Sequence, residues 1–207
     1  MIYSYPMPFR CHKDIAEYTE KYMAKYNSHW IYQVNVLLPR SLRMDLDKEL
    51  AEYGLSPAKM WLAFKRRGYF GERHVLNTSP SLHTDYSTRT NEPTYCSIVF
   101  PVSGCKDTYQ YWVEGNYTLI NAEERDPNGI LTTRQICQWH EPGIVVEEKA
   151  YIEDTPMLCR TDIPHSVVSR DDWSYRLIIS IRLKGNEKFD DVVNKIKLKE
   201  LANSKVM

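Results

Sequence analysis

The second half of the chain contains a run of short strand-like segments, and this run limits the fold more than any other feature. The segments are rich in β-branched and aromatic residues, and turn clusters such as Asp126-Pro127-Asn128-Gly129 separate them. Such a run after helical segments predicts a mainly β sandwich or barrel with helices packed outside it. The segments are Tyr95 to Val102, Thr108 to Val113, Gly143 to Ile152, Met157 to Arg160 and Tyr175 to Leu183.

The 207 residues fit a single domain, and helical patterns lie on both sides of the strand run. Apolar residues at three- and four-residue spacing predict helices over His12 to Tyr26 and Leu42 to Tyr53. A last periodic segment predicts a helix that lies on the core or at a partner. The expected division is N-terminal helices and outer strands (1–65), a barrel core (83–183) and a C-terminal helix (187–203).

Charge and composition narrow the class of partner. Lys plus Arg and Asp plus Glu both total 27, so the formal charge is zero and no nucleic-acid partner is expected. The apolar runs are too short to cross a membrane, and no signal peptide is visible. The five cysteines form no Cys-x-x-Cys pair, which favours a reduced chain. We therefore expect a cytoplasmic monomer or homodimer.

Three chemically suggestive signals lie in the predicted core. His83 and Asp85 are two residues apart, so in an extended strand both side chains point to one face. His165 lies between two predicted strands, and Arg176 follows it by eleven residues at the start of another strand. Taken singly, these residues are more typical of a surface turn, a structural histidine and a strand-end arginine in a salt bridge than of a functional site.

Taken together, the three signals predict a metal site. Two neutral imidazoles and one carboxylate on one face of an octahedral ion form the facial triad of non-haem ferrous oxygenases. Three coordination positions then stay open, of which a bidentate 2-oxo acid can fill two and dioxygen the third. The far carboxylate of 2-oxoglutarate requires a fixed cation, and the planar fork of an arginine suits it better than a lysine does.

The sequence resembles the Fe(II)/2-oxoglutarate-dependent dioxygenase superfamily in three places: SLHTD, TDIPHSVVS and YRLIISIRL. The resemblance covers about residues 83–183. The resemblance implies a double-stranded β-helix, that is, a jelly-roll or cupin-like barrel with flanking helices. It also implies that His83, Asp85 and His165 hold Fe(II), and that 2-oxoglutarate is the cosubstrate. The implied reaction hydroxylates a C–H bond of a small molecule, amino acid or peptide side chain and converts 2-oxoglutarate to succinate.

The resemblance makes Arg176 the first candidate for the cosubstrate carboxylate. Arg182 is the second candidate, because it shares strand parity with Arg176. The Arg-x-Ser pattern of some members is absent here, so Tyr95 and Ser97 are candidates for a hydroxyl contact to the cosubstrate, although both are equally well explained as core. The segment from Gln110 to His140 is loop-like, and it fits a substrate lid and a solvent-exposed insertion equally well.

Two other functions fit the same pattern. One is a cupin-type metalloenzyme that uses the triad without 2-oxoglutarate, and the other is a non-catalytic barrel that serves as a binding module. The chain has no Gly-x-Ser-x-Gly elbow, no Walker loop and no Gly-x-Gly-x-x-Gly, so acyl transfer and nucleotide binding have no support.

Overall fold

The computed structural model describes residues 2–25, 32–56, 60–67, 84–87, 92–125, 131–140, 145–169 and 175–204. Within these ranges the chain forms three helices, which are α1 (His12–Met23), α2 (Arg40–Glu52) and α3 (Phe189–Ser204). The strands are β1 (Ser4–Pro6), β2 (Tyr32–Asn35), β3 (Met60–Arg67), β4 (Tyr86–Ser87), β5 (Glu92–Pro93), β6 (Cys96–Ser103), β7 (Thr108–Glu114), β8 (Tyr117–Arg125), β9 (Leu131–Trp139), β10 (Val145–Tyr151), β11 (Met157–Arg160), β12 (His165–Ser169) and β13 (Tyr175–Arg182).

The strands form two main antiparallel sheets. A six-stranded sheet has the order β1-β11-β6-β13-β3-β2, and a three-stranded sheet has the order β10-β7-β12. Two hairpins, β4-β5 and β8-β9, form separate two-stranded sheets. Within the described residues no strand pairing joins the two main sheets into a closed barrel. The predicted mainly β fold with flanking helices is therefore confirmed at this level.

Apolar residues are buried on both faces of the six-stranded sheet. Each strand contributes to both faces, because its alternate residues point to opposite sides. On one face, Ile98, Ile179 and Ile181 pack with the three helices in the largest apolar cluster. On the other face, Val99 and Cys159 pack with residues of the three-stranded sheet. We call this second cluster the inner cluster; its buried members are Tyr3, Val99, Trp112, Ala150, Ile152 and Cys159.

The helices confirm the sequence interpretation closely, with bounds that differ by a few residues. The chain between Gln110 and His140 contradicts it, since this segment completes β7 and then forms the β8-β9 hairpin instead of a loop. Cys137 of the hairpin packs on Tyr109, Tyr111 and Val113, on the side of β7 away from the inner cluster. Polar residues such as Thr118, Asn121 and Gln138 interrupt the apolar pattern of β8 and β9, so the sequence pattern did not indicate strands there.

All five cysteines are free and buried. Burial raises the pKa of Cys11 to about 12 and the pKa of Cys96 to about 12. A thiol with a pKa of about 12 is ionised in only about one molecule in ten thousand at pH 8. No helix in the described part of the chain has both the length and the apolar character needed to span a bilayer.

The native thiols are expected to resist Ellman's reagent at pH 8, because both burial and the raised pKa values suppress the reactive thiolate. In about 6 M guanidinium chloride, which unfolds the protein, all five cysteines should react at once. A spectrophotometric thiol count before and after unfolding tests this. Rapid reaction of any thiol in the native protein would contradict the buried assignment.

Candidate metal and cosubstrate site

Asp85 is held by its backbone at one end of the six-stranded sheet. Its N–H donates a hydrogen bond to the Thr161 carbonyl at 2.8 Å, and its own carbonyl accepts one from the Thr94 N–H at 2.9 Å. Thr161 follows β11 directly, and its N–H donates to the Tyr95 carbonyl at 3.1 Å. Thr161 therefore joins the Asp85 segment to the start of β6.

His165 is the first residue of β12 and is almost completely buried, with 5% of its surface exposed. Its Nδ1 lies 2.8 Å from the Ile163 carbonyl oxygen. Because a carbonyl only accepts, Nδ1 carries the proton in this contact, and the lone pair of the neutral imidazole is then on Nε2. Metal-binding histidines are usually oriented by this kind of bond from the second ring nitrogen.

Trp112 connects the two predicted metal ligands. It lies opposite His165 in the β12-β7 pairing and is fully buried. Its indole N–H crosses to the other sheet and donates to the Arg160 carbonyl at 2.8 Å. Arg160 precedes Thr161, which binds the backbone of Asp85. The segments that carry Asp85 and His165 are therefore fixed to each other through one indole ring.

Replacing Trp112 by phenylalanine is expected to lower the free energy of unfolding by about 1–3 kcal/mol, because the Arg160 carbonyl loses its donor while most of the ring stays. Urea unfolding followed by circular dichroism measures the change. Equal stability of the variant and the parent protein would show that the indole hydrogen bond contributes little.

Arg176 points into the space between the two sheets. Its neighbours along β13, Leu177 and Ile179, are buried on the helix-covered side, so Arg176 lies on the opposite side. Only 9% of its surface is exposed. Its Nε and Nη2 atoms are buried and have no hydrogen-bond partner in the described part of the chain. Burial lowers the pKa of this guanidinium, and the nearby thiols Cys105 and Cys159 oppose the shift.

The Cys159 thiol of the inner cluster lies within electrostatic range of both Arg176 and Asp85. Burial has the largest effect and raises its pKa; Arg176 lowers it, and Asp85 raises it. The main-chain bonds of Asp85 place it near Tyr95 at the start of β6. Arg176 lies at the other end of that strand, because its neighbour Leu177 pairs with Ser103.

The other predicted cosubstrate residues lie nearer to the opposite end of β13. Ser97 is buried, and it pairs with both Cys159 and Arg182 across the strands. Arg182 is six residues from Arg176 on the same side of β13, and its Nε atom is buried without a hydrogen-bond partner in the described residues. Tyr95 precedes β6, and its backbone N–H donates to Asn186 Oδ1 at 3.3 Å.

His83 lies outside the described residues, so the structure describes only two members of the predicted triad. Within the described part of the chain, no group of three or more His, Cys, Asp or Glu side chains is placed to hold a metal ion. Sequence reasoning missed Trp112 and Thr161, which join the segments of Asp85 and His165. The only local signal for Trp112 was a tryptophan in a strand, and it does not reveal a bond to another sheet.

No model of a known protein family matches the chain, and no curated protein matches it. What the site can do is therefore inferred from its own residues. The described residues supply the carboxylate of Asp85, the imidazole of His165, and the buried guanidinium of Arg176, two of whose nitrogen atoms have no partner among them. This donor set fits a hard or borderline metal ion such as Fe(II), together with an organic anion.

Proposed function

We propose that this chain is an Fe(II)- and 2-oxoglutarate-dependent oxygenase that hydroxylates a C–H bond and converts 2-oxoglutarate to succinate. The observation that carries the proposal is the buried guanidinium of Arg176, whose Nε and Nη2 have no partner in the described residues. A buried charge without a counter-ion costs several kcal/mol, by order of magnitude, and a bound carboxylate removes that cost.

The strand order supports a double-stranded β-helix as the finer description of the fold. A jelly roll has eight core strands that alternate between two sheets. In chain order, β3 and β6 belong to the six-stranded sheet, β7 and β10 to the three-stranded sheet, and β11, β12 and β13 alternate between them. The proposed fold requires one more strand between β3 and β6. The sequence there contains His83 and lies mostly outside the described residues.

In this proposal His83, Asp85 and His165 hold the iron, and Arg176 holds the far carboxylate of the cosubstrate. Bound Fe(II) supplies the redox chemistry that couples loss of carbon dioxide to oxygen insertion. The Ile163 carbonyl keeps the proton of His165 on Nδ1, so Nε2 can bind the ion. The contact from Trp112 to Arg160 fixes the spacing of the two ligand-bearing segments.

In this proposal the cosubstrate lies along β13. His165 is opposite Trp112, Trp112 shares the inner cluster with Val99, and Val99 pairs with Ser180. Arg176 is four residues from Ser180, which is about 13 Å along a strand. The far carboxylate of the cosubstrate would therefore be directed along the strand towards Arg176.

An anaerobic titration with Fe(II) and 2-oxoglutarate tests the proposal. We expect a visible metal-to-ligand charge-transfer band that appears only when both are present, because the 2-oxo acid chelates the ion. Bound iron without a band would favour a cupin-type enzyme that does not use the oxo acid. Absence of both iron binding and the band would contradict the proposal and favour a non-catalytic binding module.

A further inference from the structure

Arg182 is a second cation on the inner side of β13 for which the proposed function has no use. Ile181 and Leu183 on either side of it belong to the helix-covered cluster, so Arg182 lies on the side that faces the three-stranded sheet. Its partner across the strands is Ser97, which is almost fully buried. Two side chains that can donate hydrogen bonds, Arg182 and Ser97, therefore start from paired positions on the same face of the six-stranded sheet.

No carboxylate of the described chain pairs with Arg182. Its Nε atom is buried and without a hydrogen-bond partner, and the described residues contain no ion pair that involves it. Arg160, at the same end of the sheet, shows the contrast, since it forms ion pairs with Asp162 at 3.1 Å and with Asp190 at 3.2 Å. Glu148 is already engaged, because it accepts hydrogen bonds from the Tyr3 N–H and the Ser4 hydroxyl.

The cosubstrate leaves Arg182 without a carboxylate. In the proposed function, one carboxylate of 2-oxoglutarate would bind the metal and the other would bind Arg176, the more deeply buried arginine. Arg182 is two residues beyond Ser180 and Arg176 is four residues before it, so the two arginines lie on opposite sides of the level of Trp112 and His165. Arg182 thus lies at the end of β13 nearer to Asp85, on the side of that level away from Arg176.

We infer that the oxidised substrate carries a carboxylate, and that Arg182 binds it with help from the Ser97 hydroxyl. This inference rests on the proposed function, because it assigns Arg176 to the cosubstrate. A carboxylate is the expected group because a single planar guanidinium fork matches its two oxygens and its single charge. The substrate class is therefore a small carboxylic acid, such as an amino acid with a free carboxylate.

Fluoroacetate and fluoroacetamide provide a matched pair of probes, since they have nearly the same size and differ in charge. Their binding is measured by fluorine NMR on the anaerobic protein saturated with Fe(II) and 2-oxoglutarate, so that Arg176 is already occupied. We expect fluoroacetate to bind and fluoroacetamide to bind far more weakly. Arg182→Met should weaken fluoroacetate binding about tenfold or more, and Arg182→Lys should weaken it less.

The matched control is Arg43→Met, which changes an exposed arginine of α2 and should alter neither probe. The midpoint of the 2-oxoglutarate titration should stay within about twofold in Arg182→Met, because the two anions occupy different arginines. Equal binding of the acid and the amide, no detectable binding of either, or a loss of cosubstrate affinity as large as in Arg176→Met overturns the inference.

The same samples separate this inference from the proposed function. A charge-transfer band in the parent protein, combined with fluoroacetate binding that does not depend on Arg182, overturns the inference alone. Absence of the band in the parent protein overturns the proposed function and, with it, the assignment of Arg182 to a substrate.

Discussion

Replacing His165 by alanine is expected to weaken Fe(II) binding by at least about a hundredfold and to remove the charge-transfer band with 2-oxoglutarate. The imidazole is one of three proposed ligands, and the buried position of His165 gives water little access to replace it. The measurement is the iron content after anaerobic loading and desalting, together with the absorption spectrum. Asp85→Ala and His83→Ala belong to the same series and should behave alike.

His140→Ala is the matched control for this series. His140 is exposed, and its Nε2 lies 2.7 Å from the hydroxyl of Thr118 in the β8-β9 hairpin, outside the proposed site. We expect this variant to bind iron with the affinity of the parent protein. If His165→Ala also retained that affinity while remaining folded, His165 would not be a metal ligand.

Replacing Arg176 by methionine is expected to change function and stability in opposite directions. The affinity for 2-oxoglutarate should fall about a hundredfold, because the far carboxylate loses a bidentate partner. The free energy of unfolding of the ligand-free protein should rise by about 1–3 kcal/mol, because an apolar side chain of similar length replaces a buried guanidinium that has no carboxylate partner in the described residues. Urea unfolding without ligand and titration of the charge-transfer band measure the two effects.

Arg43→Met again serves as the control, since it removes an exposed arginine and should alter neither quantity by a measurable amount. A variant Arg176→Met that was less stable than the parent protein and bound 2-oxoglutarate normally would show that the guanidinium is structural. In that case the hydrogen-bond partners of Nε and Nη2 would lie among residues outside the described ranges.

Local sequence patterns were sufficient for most of the fold, because strands such as β6 and β13 have a strong β-branched content that does not depend on their partners. Local patterns did not predict a strand that forms only because it pairs with a strand far away in the sequence. The three-residue strand β1 contains Pro6, yet it pairs with β11 through Ser4, Tyr5 and Pro6. Only the open edge of β11, about 150 residues later in the chain, makes that segment a strand.

The candidate site was also only partly predictable from the sequence. Strand parity alone places Arg176 and Arg182 on one side of β13, and the structure agrees with that placement. Parity could not show that both guanidiniums lack a carboxylate in the described residues, because this depends on which side chains the opposite sheet and β11 present. The link from Trp112 to Arg160 was also beyond the sequence, since the two residues are 48 positions apart and lie in different sheets.

The hydrogen bonds of Asp85 have a consequence for how this chain can diversify. The Thr94 N–H donates to the Asp85 carbonyl, so the β4-β5 hairpin is closed at its base, and Thr161 anchors that base to β11. All of these bonds use main-chain atoms, so they do not depend on which side chains β4 and β5 present. Sequence change in these two strands can therefore leave the backbone of Asp85 in position.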